Sequence, residues 1–188
     1  MRIAFSGSHR VGKSTLVEEI ADALPRYATV EEPYYLLEED GYECGDPPSR
    51  EDFEAQLERS LDALEEGQPK VLFDRCPADV LAYLLTHEDA ASFDPEEWLE
   101  RTRDAMQTLD LVVFVPIEEV DRIPVPSHED RELRSAVDDK LRELLLDDSL
   151  GFEADVLTVH GDARTRAAQV LSRLEVGERG RKKRPPAR

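Results

Sequence analysis

Apolar residues fall along this chain in short runs, separated by longer stretches in which they recur every three or four positions. The short runs cover residues 2–6, 28–31, 70–74, 111–115 and 156–159. They carry β-branched side chains and end in turn-forming residues, the pattern of strands buried on both faces. The longer periodicity predicts helices over 13–24, 51–66, 77–85, 95–108, 130–146 and 162–174. Strand and helix therefore alternate, and alternation of this kind builds right-handed βαβ units around a parallel sheet.

Local punctuation supports these boundaries. Ser49 stands three residues before Asp52, a capping-box spacing, and Asp94 precedes Pro95 as an N-cap before a proline at the first helical position. Trp98 in that helix reads as a core anchor. Residues 40–49, with Gly41, Gly45, Pro47 and Pro48, read as a loop within one domain.

Composition adds limits. The chain has 188 residues, 40% of them hydrophobic, enough for one domain with a substantial core. Mean hydropathy is -0.54 and no apolar run approaches the roughly 20 residues of a membrane span, so no membrane association is expected. The first residues have no leader-like pattern, and the expected location is the cytoplasm. The two cysteines, Cys44 and Cys76, form no CxxC pair and no zinc-ligand spacing. The formal charge of -19 opposes binding to nucleic acid. Charge is also unevenly spread, because residues 177–188 hold six basic side chains and one acid. That segment, with paired prolines and no apolar periodicity, reads as a disordered basic tail after a domain of residues 1–176.

The chemistry begins at the first strand. Gly7, Ser8, His9, Arg10, Val11, Gly12, Lys13, Ser14 and Thr15 match GxxxxGK[ST], between a strand and a helix, the context this motif requires. Glycines there let backbone N–H groups turn inward, and the following helix start adds positive potential, so a triphosphate is held mainly by main chain. Lys13 is expected to reach the β- and γ-phosphates, and the Ser14 hydroxyl to ligate Mg²⁺.

Residues 71–74 form an apolar strand ending in Asp74, which a parallel sheet would place on the same edge as the phosphate loop and near Mg²⁺. Arg75 follows as a candidate clamp for a phosphoryl group or substrate oxygen, or as a surface ion-pair partner. Glu31 and Glu32 follow the second strand. Adjacent strand residues face opposite ways, so one of them, Glu32 by preference, is the candidate for orienting an acceptor hydroxyl and taking its proton. Arg131 and Arg134, three apart on one predicted helix, would neutralise charge from a lid over about 117–145, unless that helix is merely an exposed, ion-paired one.

Together these segments resemble the P-loop kinase group that includes thymidylate kinases, deoxynucleoside kinases and ribosylnicotinamide-kinase-like AAA-type ATPase domains. The resemblance rests on GSHRVGKST, on VEEP at 30–33, on FDRCPADVLAYL at 73–84, on DLVVFVP at 110–116, on EDRELRS and on VHGDARTR at 159–166. It implies a three-layer α/β fold with a five-stranded parallel sheet in the order 2-3-1-4-5. It also implies Glu32 as general base, Asp74 with Arg75 beneath the phosphates, Arg131 and Arg134 as lid arginines, and the loop at His160, Gly161, Asp162 and Ala163 against the adenine. One departure is that the group's usual DRS or ERS reads Asp74, Arg75, Cys76 here. Tyr34, Tyr35 and Tyr42 are left as either stacking or packing side chains.

The resulting expectation is ATP- or GTP-dependent, Mg²⁺-assisted phosphoryl transfer to a small-molecule acceptor, a nucleoside, nucleotide or riboside. The alternative is a regulatory NTPase that signals to a protein partner. A homodimer is left open.

Overall fold

Five parallel strands make one sheet in the order β2-β3-β1-β4-β5, as the alternating pattern and the resemblance led us to expect. The structure is a computed structural model and describes residues 1–118 and 130–182. The strands are β1 (Arg2–Ser6), β2 (Ala28–Val30), β3 (Val71–Asp74), β4 (Leu111–Phe114) and β5 (Val156–Thr158). The helices are α1 (Lys13–Ala23), α2 (Pro33–Glu39), α3 (Arg50–Glu65), α4 (Pro77–Thr86), α5 (Glu96–Gln107), α6 (Arg131–Leu145) and α7 (Ala163–Lys182).

Alternation along the strands sorts the core into two layers. Ile3 and Phe5 of β1, Leu72 of β3 and Leu111 and Val113 of β4 pack against Leu16 and Ile20 of α1 and Val170 of α7. Ala4, Val71, Phe73, Val112 and Phe114 face the other way, onto Leu57 and Leu61 of α3, Leu81 and Leu84 of α4, Met106 of α5 and Leu141 of α6. Each fully buried Leu or Phe contributes about 1.5–3 kcal/mol by leaving water. Among the described residues helices cover the central strands on both faces, which leaves a site to form at the strands' ends.

The register defines the carboxyl edge. Phe5 lies opposite Asp74 and Ser6 opposite Phe114. The chain leaving β1 into the phosphate loop thus runs beside the last residue of β3.

Local signals explain most helix starts. Ser49 caps α3 in a complete capping box with Asp52. At α5 the reading needs correction. Pro95 itself occupies the N-cap position, and Asp94 contributes an Oδ1 that accepts from the Glu96 N–H at 3.0 Å. Trp98 is half-buried at the margin of the core rather than within it. Helix α2 was not expected. It has only seven residues, too few for a 3.6-residue period to show, and buries only Pro33 and Leu37. A 3-10 turn at Ala90–Ser92 was missed for the same reason. Helix α7 continues to Lys182, past the expected end at 174, so the start of the tail read as disordered is helical. Residues 183–188, and residues 119–129 of the expected lid, lie outside the described residues. Among the described residues no helix is long and apolar enough to cross a membrane.

Candidate active site

Between β1 and α1 the chain makes a loop that only glycine fits at its two hinges. At Gly7, φ is 155° and an added Cβ would collide with the Val115 carbonyl on β4's continuation. Gly12 caps α1 in the left-handed region at φ 87°, where a side chain is strained. Val11 is buried and anchors the loop to the α1 layer. The Lys13 ammonium folds back and donates to the Ser8 carbonyl at 3.0 Å. Burial brings its pKa down to about 8, and the nearby Arg75 acts in the same direction. Glu32, Asp79 and Asp74 offset part of that fall.

Beside the loop lies a connected charge cluster. The Arg75 Nε donates to Glu32 Oε2 at 2.7 Å, and its Nη1 donates to the Gly7 carbonyl at 3.3 Å. The same guanidinium lies 5.4 Å from the centroid of the Tyr83 ring and 3.6 Å from Asp79 Oδ1. Arg75 reaches these partners from a left-handed backbone at φ 88°, which costs about 1–3 kcal/mol and persists only because its partners over-determine it. Burial raises the Glu32 carboxyl, but Arg75 and then Lys13 outweigh burial and hold it below the usual range. Glu32 is therefore ionised at neutral pH.

Asp74 behaves oppositely. Burial, and then the charge of Glu32, push its carboxyl up against the pull of Lys13, the Ser14 hydroxyl and Arg75. Its Oδ1 is buried without a hydrogen-bond partner. Ser14, Asp74, Glu31 and Glu32 line a hollow of about 540 Å³ between α1, β2 and the start of α2, which Tyr35 also borders.

A second cavity, of about 210 Å³, opens on the other side of the loop. Arg10, Val11, Gly12, Thr15, Arg134 and the segment Gly161, Asp162 and Ala163 line it, so three residues of the loop that the resemblance sets against an adenine border the same cavity as the glycine-hinged loop. Arg134 is buried, donating from Nε to the His9 carbonyl at 3.0 Å and from Nη2 to the Arg10 carbonyl at 3.2 Å. It thus braces the phosphate loop from α6. Arg131, on the first turn of the same helix, is exposed and lines neither cavity. The two arginines expected to act together are therefore separated by burial.

Four contributors were not singled out from the sequence. Asp79 is fully buried, accepts from the Gly7 N–H at 2.9 Å and from the Cys76 N–H at 3.0 Å, and so ties the loop to the start of α4. Its signal was the spacing from Cys76, three residues, which makes a capping box with a thiol in place of a hydroxyl. Burial and then Asp79 push the Cys76 thiol well up, leaving it inert. Tyr83 accepts from the His9 N–H at 3.2 Å and stacks on Phe53. Arg166 donates to the Val11 carbonyl at 2.5 Å and sits 3.7 Å from Glu118, whose Oε1 takes the Gly161 N–H at 2.5 Å. These three contacts span long stretches of chain, and no local pattern announces them.

Comparison with known proteins agrees with this fold. The family model described as AAA domain matches residues 2–166. Among curated proteins no match was found. Among solved structures, the fold is similar to deoxyadenosine kinase from M. mycoides, solved with dCMP and a flexible dCDP. The TM-score there is 0.65 at 15% identity, covering 94% of this chain and 100% of that one. It is similar to NadR in complex with NR, at TM-score 0.61 and 21% identity, covering 93% of this chain and 50% of that one. It is also similar to shikimate kinase from Aquifex aeolicus, at TM-score 0.58 and 16% identity, covering 96% and 99%.

Proposed function

The chain belongs to the AAA domain family, and on that premise we propose that it is a P-loop kinase. It would move the γ-phosphoryl group of ATP, or GTP, to a hydroxyl of a small molecule, with nucleosides, nucleotides and ribosides as the leading acceptors. One observation carries the reading: two separate cavities flank a single phosphate loop. A hydrolase needs a place for one nucleotide and a water, whereas a transferase needs a second hollow for its acceptor.

In this reading the base side of the nucleotide occupies the cavity at Thr15, Gly161, Asp162 and Ala163. The triphosphate runs along the amides between Gly7 and Lys13, where the start of α1 adds positive potential. Lys13 exchanges the Ser8 carbonyl for phosphate oxygens. The acceptor enters the hollow bordered by Glu32 and Tyr35. Its oxygen forms the new O–P bond while the bond from the γ-phosphorus to the β–γ bridging oxygen breaks, with its electron pair leaving on the nucleoside diphosphate. The hydroxyl is oriented by Glu32, which takes its proton as the bond forms. Arg75 holds that carboxylate in place, and Arg134 keeps the loop carbonyls of His9 and Arg10 turned away from the phosphates.

The residues present fit Mg²⁺. Asp74 offers a buried carboxylate oxygen without a partner and Ser14 a hydroxyl beside it, both hard donors. Among the described residues no group of three or more His, Cys, Asp or Glu could hold a metal by itself, so phosphate oxygens and water would complete the set. Bound there, the ion would neutralise charge on the transferring group.

Incubating the protein with labelled ATP or GTP, Mg²⁺ and a panel of nucleosides, nucleotides and ribosides tests the proposal. Label is expected on at least one acceptor. Steady release of free phosphate with no labelled acceptor would reject transfer and leave a regulatory NTPase.

A further inference from the structure

The walls of the larger hollow carry one sign of charge. Glu18 and Asp22 of α1, Glu31 and Glu32 after β2, and Asp74 at the end of β3 all line it, and among the described residues no lysine or arginine does. The unpartnered Asp74 Oδ1, on a residue only 8% exposed, is the Mg²⁺ donor of the reading above, which leaves Glu18, Asp22, Glu31 and Glu32 to face the acceptor.

The nearest cations are already engaged. Arg75 is turned to Glu32, the Gly7 carbonyl, Asp79 and the face of Tyr83. Lys13 belongs to the nucleotide phosphates. Backbone offers little in their place, because α2 begins with Pro33, which has no N–H, and the amides of Tyr35 and Leu36 donate to the Glu32 carbonyl, leaving the Tyr34 N–H of that first turn. An acceptor monophosphate would bring a charge of about -1.5 to -2 into this setting with no arginine fork among the described lining residues to meet it.

Resting on the kinase reading, we propose that the acceptor is an unphosphorylated alcohol, neutral or cationic, and that phosphorylated acceptors are rejected. Selection here works by repulsion as well as by fit. The half-exposed Tyr35, with Tyr34 edge-on at 5.4 Å, offers a ring face at the rim that suits an aromatic or cationic moiety. The transferred phosphoryl group converts a tolerated acceptor into an anion, so the same walls would also speed product release.

The test is a set of matched pairs, nucleosides and ribosides against their 5′-monophosphates, assayed with ATP and Mg²⁺ for kcat/KM. The unphosphorylated member of each active pair is expected to be preferred by at least about 100-fold. A second arm replaces two exposed carboxylates, Glu18→Lys with Asp22→Lys, in protein shown by melting to be folded. Its KM for the monophosphate is expected to fall at least about tenfold, since two like charges become opposite ones. Monophosphates turned over as well as, or better than, their parent alcohols would overturn the inference while leaving the kinase reading intact. A failure of the double variant to lower the monophosphate KM would also count against the charged wall. ATP hydrolysis with no phosphorylated product from either member would remove both readings together.

Discussion

Arg75 and Glu32 come together at 2.7 Å from opposite ends of a segment that includes α2 and α3, and the pair links the Gly7 carbonyl, which Arg75 also meets, to the larger hollow, which Glu32 lines. Because the guanidinium holds Glu32 ionised, the carboxylate stands ready to orient a hydroxyl and accept its proton in the proposed transfer. Glu32→Gln keeps the shape and an acceptor oxygen but loses the charge. Transfer is expected to fall by about 10²–10⁴, with the nucleotide dissociation constant changed little. Comparing kcat with a calorimetric affinity checks this, and equal kcat in variant and wild type would remove Glu32 from the mechanism.

Asp79 links the loop to α4, satisfying two buried N–H groups at once. Asp79→Ala leaves both without partners and also strips Arg75 of a neighbouring charge. A loss of roughly 2–5 kcal/mol in stability is expected, since each orphaned buried donor costs about 1–3 kcal/mol. Urea unfolding of the two proteins decides the point, and a midpoint unchanged by the substitution would show that Asp79 is not what ties the loop down.

The parallel sheet was legible from strand-helix alternation and its order from the family resemblance, and Gly7, Gly12, Lys13 and Ser14 lie between the end of β1 and the first turn of α1, the context their spacing requires. Pairings over long separations were not legible. Arg134 bracing the His9 carbonyl and Arg166 reaching the Val11 carbonyl depend on where α6 and α7 dock, which no local periodicity encodes. Arg131 shows the opposite failing. Its i,i+3 relation to Arg134 is correct along the helix, yet one side chain is buried and the other exposed, because burial is decided by the neighbour and not by the helix.

The buried Asp74 oxygen without a partner implies a trade between stability and function. Burial holds the Asp74 carboxyl above its ordinary range, meaning that the fold disfavours its charge. Asp74→Asn is neutral and nearly isosteric. Its melting temperature without ligands is expected to rise, while the Mg²⁺ concentration for half-maximal activity increases by about tenfold or more. Thermal melts and a Mg²⁺ titration test both halves. A lower melting temperature with unchanged Mg²⁺ dependence would place Asp74 among structural groups instead.

Lys13 gives the pH dependence of nucleotide binding its sign. In the free protein burial brings its pKa to about 8, so at pH 7 it is mostly charged and at pH 9 mostly neutral. Phosphate oxygens beside it favour the charged form and raise that pKa, so binding above pH 8 must take up a proton. The apparent affinity is therefore expected to be flat below about pH 7.5 and to fall above pH 8 by up to about tenfold per pH unit. Calorimetry in buffers of different ionisation enthalpy should show close to one proton taken up at pH 9 and few at pH 7. In Lys13→Arg, whose guanidinium stays charged throughout, the uptake should vanish wherever binding is retained. Equal uptake at both pH values in the wild-type protein would mean that the ammonium is fully charged before the nucleotide arrives.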